Sequence, residues 1–153
     1  NLKNLGNDPY SHNYYVDLTP VITDCQIGSA VAGDHGWKTV LLSGERQGGK
    51  AYVALDITGD TNYPLPLWEF TDGNLGESWS IPKVGLVAGG STTHFKWMGI
   101  FGSGYDNADS KGHLFGINMA DGSILFNITV DNATNNVMAS PATIDFNDNT
   151  CID

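Results

Sequence analysis

The nine residues Asp145-Phe-Asn147-Asp-Asn149-Thr-Cys151-Ile-Asp153 place side-chain oxygens at positions 1, 3, 5 and 9. An EF-hand-like calcium loop uses this alternation to turn oxygens from positions 1, 3 and 5 onto one hard cation. Position 7 of such a loop supplies a backbone carbonyl, here that of Cys151. Asp145, Asn147, Asn149, Cys151 and Asp153 are therefore the metal candidates, and calcium is the cation that their chemistry suits. Position 6 is Thr150, where the sharp turn prefers Gly. The competing reading is an Asn/Asp-rich turn, because both side chains bond their own backbone and tolerate turn geometry.

Other chemistry is sparse. Asp106-Asn107-Ala-Asp109 lacks the longer alternation and reads as a solvated turn. Asp56 and Asn118 stand at equivalent strand ends and read as turn caps, as do Asp17 and Asp24 on either side of Pro20. His12, His35, His94 and His113 form no i, i+4 histidine pair and adjoin no nucleophile, so neither a zinc site nor a triad is indicated. Gly85 to Ser91 leads into no Lys-Ser/Thr pair, so no phosphate loop is present. No catalytic residue is assigned, and the expectation is a protein that is not an enzyme. Trp37, Trp68, Trp79 and Trp97 are expected to pack between repeats, with a sugar-binding platform as the alternative. Asn127-Ile-Thr129 and Asn132-Ala-Thr134 fit the glycosylation pattern, which matters only in a secreted eukaryotic protein. Cys25 and Cys151 are either one disulfide or two buried thiols.

The charge balance narrows the partners. Seven Lys and Arg against seventeen Asp and Glu give a formal net charge of -10. Such a surface repels phosphate backbones and anionic lipid, which argues against nucleic acid and membrane-surface binding. No apolar run approaches the roughly 20 residues of a membrane-spanning helix. Hydrophobic residues make up 41% and charged residues only 16%, with 19 glycines among 153 residues. This is the composition of short strands joined by tight turns.

The elements that must position the loop follow an internal repeat. Trp37-Lys-Thr-Val-Leu-Leu-Ser-Gly44 aligns with Trp97-Met-Gly-Ile-Phe-Gly-Ser-Gly104 at an offset of 60, from Trp37 to Trp97. Ala51 to Thr58 aligns with His113 to Ala120, and Leu67-Trp-Glu-Phe70 with Leu125-Phe-Asn-Ile128. A proline opens each unit, at Pro20, Pro82 and Pro141. The first unit predicts strands over Pro20–Asp24, Trp37–Ser43, Ala51–Ile57 and Leu67–Phe70. The second predicts Pro82–Val87, Trp97–Gly102, His113–Met119 and Ile124–Val130. Four antiparallel strands repeated radially is the β-propeller plan. The fold class expected is all-β, a partial propeller of about two four-stranded blades plus the first strand of a third, Met138 to Ile144. The units run 14–72, 78–131 and 137–153, after a lead-in over 1–13. Two blades and a strand cannot close a ring of about 4–8 blades, so a segment of a larger domain is expected. A β-sandwich with chance similarity between its halves is the competing fold.

The ordered set Tyr14-Tyr-Val-Asp17-Leu-Thr-Pro20, Trp37-Lys-Thr-Val-Leu, Gly48 to Thr58, Leu67-Trp-Glu-Phe-Thr-Asp72 and Phe101-Gly-Ser-Gly-Tyr105 resembles the C-terminal propeller of PilY/PilC-type proteins. These are tip-associated adhesins and assembly factors of bacterial type IV pili. The resemblance implies a calcium loop of the form Asp-x-Asp-x-Asp-Gly-x-x-Asp, matched here at Asp145, Asn147, Asn149 and Asp153. Calcium occupancy there would be linked to pilus extension and retraction. Amides replace carboxylates at positions 3 and 5 and Thr150 replaces Gly, which lowers the loop's charge. It further implies type IV pilus components such as minor pilins as partners, host or surface ligands, and a place at the pilus tip or in the periplasm and outer membrane.

Two other functional classes compete. A periplasmic pyrroloquinoline-quinone-type dehydrogenase propeller is echoed by Ala54-Leu-Asp56-Ile-Thr-Gly59 followed by Trp68, although the second unit has no Trp at the matching site. A generic extracellular propeller that binds a glycan or a protein is the other.

Overall fold

The computed structural model describes residues 2–28, 35–59, 61–88, 95–145 and 151–152. After a short 3-10 turn at Leu2–Gly6, strands β1 (Val21–Gln26), β2 (Trp37–Gly44), β3 (Tyr52–Asp56) and β4 (Leu65–Phe70) form one antiparallel sheet in the order β1-β2-β3-β4. Strands β5 (Lys83–Ala88), β6 (Phe95–Gly102), β7 (Gly112–Asn118) and β8 (Ile124–Asp131) repeat that order in a second sheet. All eight strands expected from the repeat are present, within three residues at either end. Pro20 and Pro82 each stand just ahead of an edge strand, where a missing N–H breaks no ladder bond.

Alternation drives the assembly. In β3, Tyr52, Ala54 and Asp56 are buried while Val53 and Leu55 are half-buried. Val40, Leu42, Tyr52, Ala54 and Phe70 of the first sheet share one core with Phe101, Phe115 and Ile117 of the second. Tyr52 stacks on Phe101 with ring centroids 3.9 Å apart, and Phe70 meets Phe115 at 5.5 Å. Aromatic side chains each remove about 150–250 Å² from water, so this cluster dominates the attraction between the sheets. The Tyr52 hydroxyl donates to the Ser80 carbonyl at 2.6 Å, which satisfies the one polar atom of its buried side chain. Trp68 reaches across to donate from its ring nitrogen to the Met119 carbonyl at 2.9 Å. Its ring crowds Gly122, whose φ of +73° suits glycine and whose absent Cβ would lie 2.9 Å from Trp68 Cγ.

The repeat extends to its irregularities. A bulge falls between Ala54 and Leu55 in the first sheet and between Gly116 and Ile117 in the second, the same place in each unit. The strand register corrects one sequence alignment. Val40 pairs with Asp56 and Met98 with Asn118, so β2 and β6 correspond with Val40 opposite Met98 and Thr39 opposite Trp97. Trp37 and Trp97 are thus two residues out of equivalence. A slip of two keeps every side chain on its face, which is why the Trp-to-Gly match looked sound. The two rings instead meet each other, edge to face, at 5.7 Å.

Met138 to Ile144 departs from its expected role. It contributes a single bridge, Met138 to Gly104, and no strand. A ladder needs a neighbour along its length, and the described residues offer none there. The bridge nonetheless repeats Arg46 to Ser78 in the first unit, so the chain enters the third unit as it entered the second. By the same register, Met98, Ile100, Leu114 and Phe126 take the positions held in the first unit by Val40, Leu42, Tyr52 and Trp68. They line an apolar cavity of about 300 Å³ with Pro141–Ile144 and Ile152. Among the described residues, no helix is long and apolar enough to cross a membrane.

Candidate functional site

The candidate calcium loop follows in sequence the Pro141–Ile144 segment that lines this apolar cavity. Asn147, Asn149 and Asp153 fall outside the described residues, and of the five only Asp145 and Cys151 are described. The described residues fix how the loop is held. Ile152 donates its N–H to the Leu86 carbonyl at 2.7 Å and forms a parallel bridge with Val87 on the edge strand β5. Its side chain lies over Gly85, where a Cβ would come within 2.1 Å of Ile152 Cδ1. The other end, Pro141–Ile144, closes over Met98 and Phe126. Ile152 and the Pro141–Ile144 segment ahead of Asp145 both rest against the second sheet. Carboxylate, amide and carbonyl oxygens suit a hard cation such as calcium better than zinc, whose sites are dominated by Cys sulfur and His nitrogen. Among the described residues, no group of three or more His, Cys, Asp and Glu side chains forms a metal cluster.

The turn 106–109 is more built than its sequence indicates. Lys50 donates to both the backbone carbonyl and the carboxylate of Asp106, the latter at 2.8 Å. That contact holds the Asp106 carboxyl below the usual carboxylate range. Asn107 is buried and donates to the carbonyls of Asn74 and Lys111, at 3.0 and 2.6 Å. The turn thereby staples the exit of the first sheet to the second. His113, only 3% exposed, sets Nε2 3.1 Å from the Asp109 carboxylate and Nδ1 3.0 Å from the Asn127 side-chain oxygen. Burial would push the Asp109 carboxyl up, but the Lys111 amide, the His113 ring and the nearby positive charges hold it below its ordinary value. The His113–Asp109–Asn127 contact was not read from the sequence. Its signal was a polar His113 at the position that the first unit gives to Ala51.

Asp17 and Asp24 correct the turn-cap reading: Asp17 pairs with Arg46 at 3.6 Å, and Asp24, inside β1, accepts from the Thr39 hydroxyl at 2.7 Å. Asp56 accepts from the Thr58 amide at 2.9 Å and Asn118 from the Ala120 amide at 3.1 Å, as expected of turn caps. Asp72, Asp121 and Asp131 do the same for Asn74, Ser123 and Ala133. Ala54 and Trp68, which echo a quinoprotein docking pattern, are simply cross-strand neighbours. Cys25 and Cys151 are buried and not bridged to each other. Burial, with Asp24 beside it, pushes the Cys25 thiol up to about 12.

Two sheets of four antiparallel strands, packed face to face with repeated register and repeated bulges, are consecutive blades of a β-propeller. The profile of the PilY1 beta-propeller domain matches residues 1–153. The chain belongs to that family. It is 30% identical over 148 residues to the type IV pilus biogenesis factor PilY1 homolog of Xylella fastidiosa, covering 94% of this chain and 9% of that protein. To the type IV pilus biogenesis factor PilY1 of Pseudomonas aeruginosa it is 34% identical over 142 residues, covering 90% of this chain and 11% of that one. The crystal structure of the Pseudomonas aeruginosa PilY1 C-terminal domain superposes with a TM-score of 0.73 at 33% identity, over 91% of this chain and 27% of that domain. The chain thus spans about a tenth of the curated relatives' length.

Proposed function

We propose that the chain is a non-enzymatic propeller module of a type IV pilus biogenesis and tip adhesin protein, which binds calcium and supports pilus assembly and surface attachment. The observation that carries this reading is the family match over the whole chain, to relatives named as type IV pilus biogenesis factors. Its partners are pilus components such as minor pilins, together with host or surface ligands, and its place is the cell surface at the pilus tip. The net charge of -10 favours such partners over nucleic acid and attracts divalent cations. Calcium binding by Asp145, Asn147, Asn149, Asp153 and the Cys151 carbonyl is supported by the all-oxygen donor set and by the anchoring of Ile152 on Leu86. The non-enzymatic reading is supported by the use of Asp56, Asp72, Asp121 and Asp131 as turn caps.

The test is genetic. Cells that carry the protein with Asp145→Ala, and cells that lack it, are compared for surface pili and twitching. Loss of pili in the deletion, with altered extension or retraction in Asp145→Ala, is the expected result. Unchanged pilus number and motility in the deletion would remove the pilus assignment.

A further inference from the structure

We propose that the cavity between the 104–111 turn and the segment following β8 binds a neutral sugar residue, a reading independent of the calcium loop. The cavity measures about 340 Å³ and is lined by Tyr105, Asp106, Ser110, Asn135, Asn136 and Val137, with Asn107 behind them. That volume lies within the range of small-molecule sites. The lining offers one aromatic ring with its phenol, a hydroxyl, a carboxylate and amides that both donate and accept. A pyranose presents the complement, an apolar C–H face and a rim of hydroxyls. Tyr105 is 50% exposed, enough to offer its ring as a platform. No cationic side chain lines the cavity itself, and the charge of Lys50 behind it is taken up by the Asp106 carboxylate at 2.8 Å, so a phosphorylated, sulfated or sialylated sugar finds no free counter-charge.

The walls are fixed in advance. Tyr105 exchanges backbone bonds with Glu77, and its ring stands edge-on to Trp79 at 5.9 Å. Asp106 is pinned by Lys50, and the Asn136 amide donates to the Ser110 carbonyl, which ties the two walls together. Three lining residues hold left-handed backbone, Asp106 at φ 60°, Ser110 at 57° and Asn135 at 65°. Non-glycine residues persist there only where their surroundings over-determine them, and such outliers gather at binding sites. The repeat explains why the corner is open. In the first unit Arg46 lies over Trp79, 4.2 Å from the ring centroid. The bridges Arg46–Ser78 and Gly104–Met138 make Gly104 and Ala139 the counterparts of Arg46 and Trp79. The second unit has thus exchanged both filling side chains for small ones beside the cavity.

The experiment is saturation-transfer difference NMR on the full chain with the methyl glycosides of galactose, glucose and mannose, and with N-acetylneuraminic acid as the anionic comparison. At least one neutral glycoside should receive saturation, with a Kd on the order of millimolar, and the acid should receive none. Tyr105→Ala and Asn135→Gly should weaken binding about five-fold or more while keeping the parent's thermal transition; glycine retains the left-handed backbone and removes only the amide. If Tyr105→Ala fails to fold, amide shifts in the wild-type chain decide the matter, and they should cluster at 105–111 and 135–137. Silence with all three neutral glycosides would overturn the proposal. So would equal transfer to the acid, undiminished binding in both folded variants, or shifts confined to another face.

Discussion

The Tyr52 and Phe101 rings lie one on the other, 3.9 Å apart and 24° from parallel, and join the two sheets at the centre of their shared core. Both residues are fully buried. Phe101→Ala should lower stability by about 3–5 kcal/mol, because it removes an aromatic ring and leaves a cavity. Tyr52→Phe keeps the stacking and removes the bond to the Ser80 carbonyl, at a cost of about 1–3 kcal/mol for the unpaired acceptor. Denaturant unfolding of both variants checks the ranking. A Tyr52→Phe loss equal to that of Phe101→Ala would mean that the hydroxyl, and not the stack, carries the joint.

Calcium should bind through the 145–153 loop. Isothermal titration on the wild-type chain should release heat that Asp145→Ala abolishes, because the change removes the position-1 carboxylate from a loop that already carries amides at positions 3 and 5. The amides at Asn147 and Asn149 place the affinity below that of an all-carboxylate loop. Asn147→Asp with Asn149→Asp should therefore tighten binding. Absence of heat and of thermal stabilisation in the wild type would remove calcium from the function.

Stability should fall at both ends of the pH scale for separate reasons. Asp56, Asp109, Asp121 and Asp131 have folded pKa values below the ordinary carboxylate range. Groups depressed by folding stabilise fully above their unfolded pKa of about 4, and that stability is lost as pH falls through the folded values. Melting temperatures should hold between pH 7 and 5 and drop below about 4. The Cys25 thiol, pushed up to about 12 by burial, behaves in the opposite sense. Its contribution is complete below the unfolded value of about 8.5 and is lost as pH rises toward 12. Cys25→Ala should remove the part of that alkaline limb below about pH 10 and leave the acid limb unchanged; above it the Tyr52 phenol, also pushed up by burial, keeps the fall.

His113→Leu should lower the melting temperature only slightly, because the exposed Asn127 side chain and the half-exposed Asp109 carboxylate can turn to water once the buried ring is gone. His113→Leu combined with Asn127→Leu should recover none of that small loss, since the exposed Asn127 amide is solvated without its partner. A double-mutant cycle measures that coupling.

The strands were legible because each is a period-two run closed by Gly, Asn, Asp or Pro, and because a second copy repeats the pattern. Registers within β3, β4, β7 and β8 followed from apolar matches alone. The β2 and β6 register did not, since a conspicuous tryptophan in each strand drew the alignment two places aside. Met138 to Ile144 carries a strand's pattern but makes only the Gly104 bridge, and no local pattern reports whether a partner stands alongside. Asp109 and His113 meet through a turn whose path depends on Asn107, Lys50 and Gly73, drawn from three separate loops. Such contacts are set by the packing of two blades.

The two-place drift between Trp37 and Trp97 carries a lesson about descent. A one-place slip of β2 or β6 against its neighbouring strands would turn Val40 and Leu42, or Met98 and Ile100, to the wrong side of their sheet. A change of two leaves the core untouched and moves only the ring at the strand's mouth. A large ring on the outer end of a strand can therefore sit two places away from its counterpart at no cost to the core, and such a ring is a poor marker of which residues correspond.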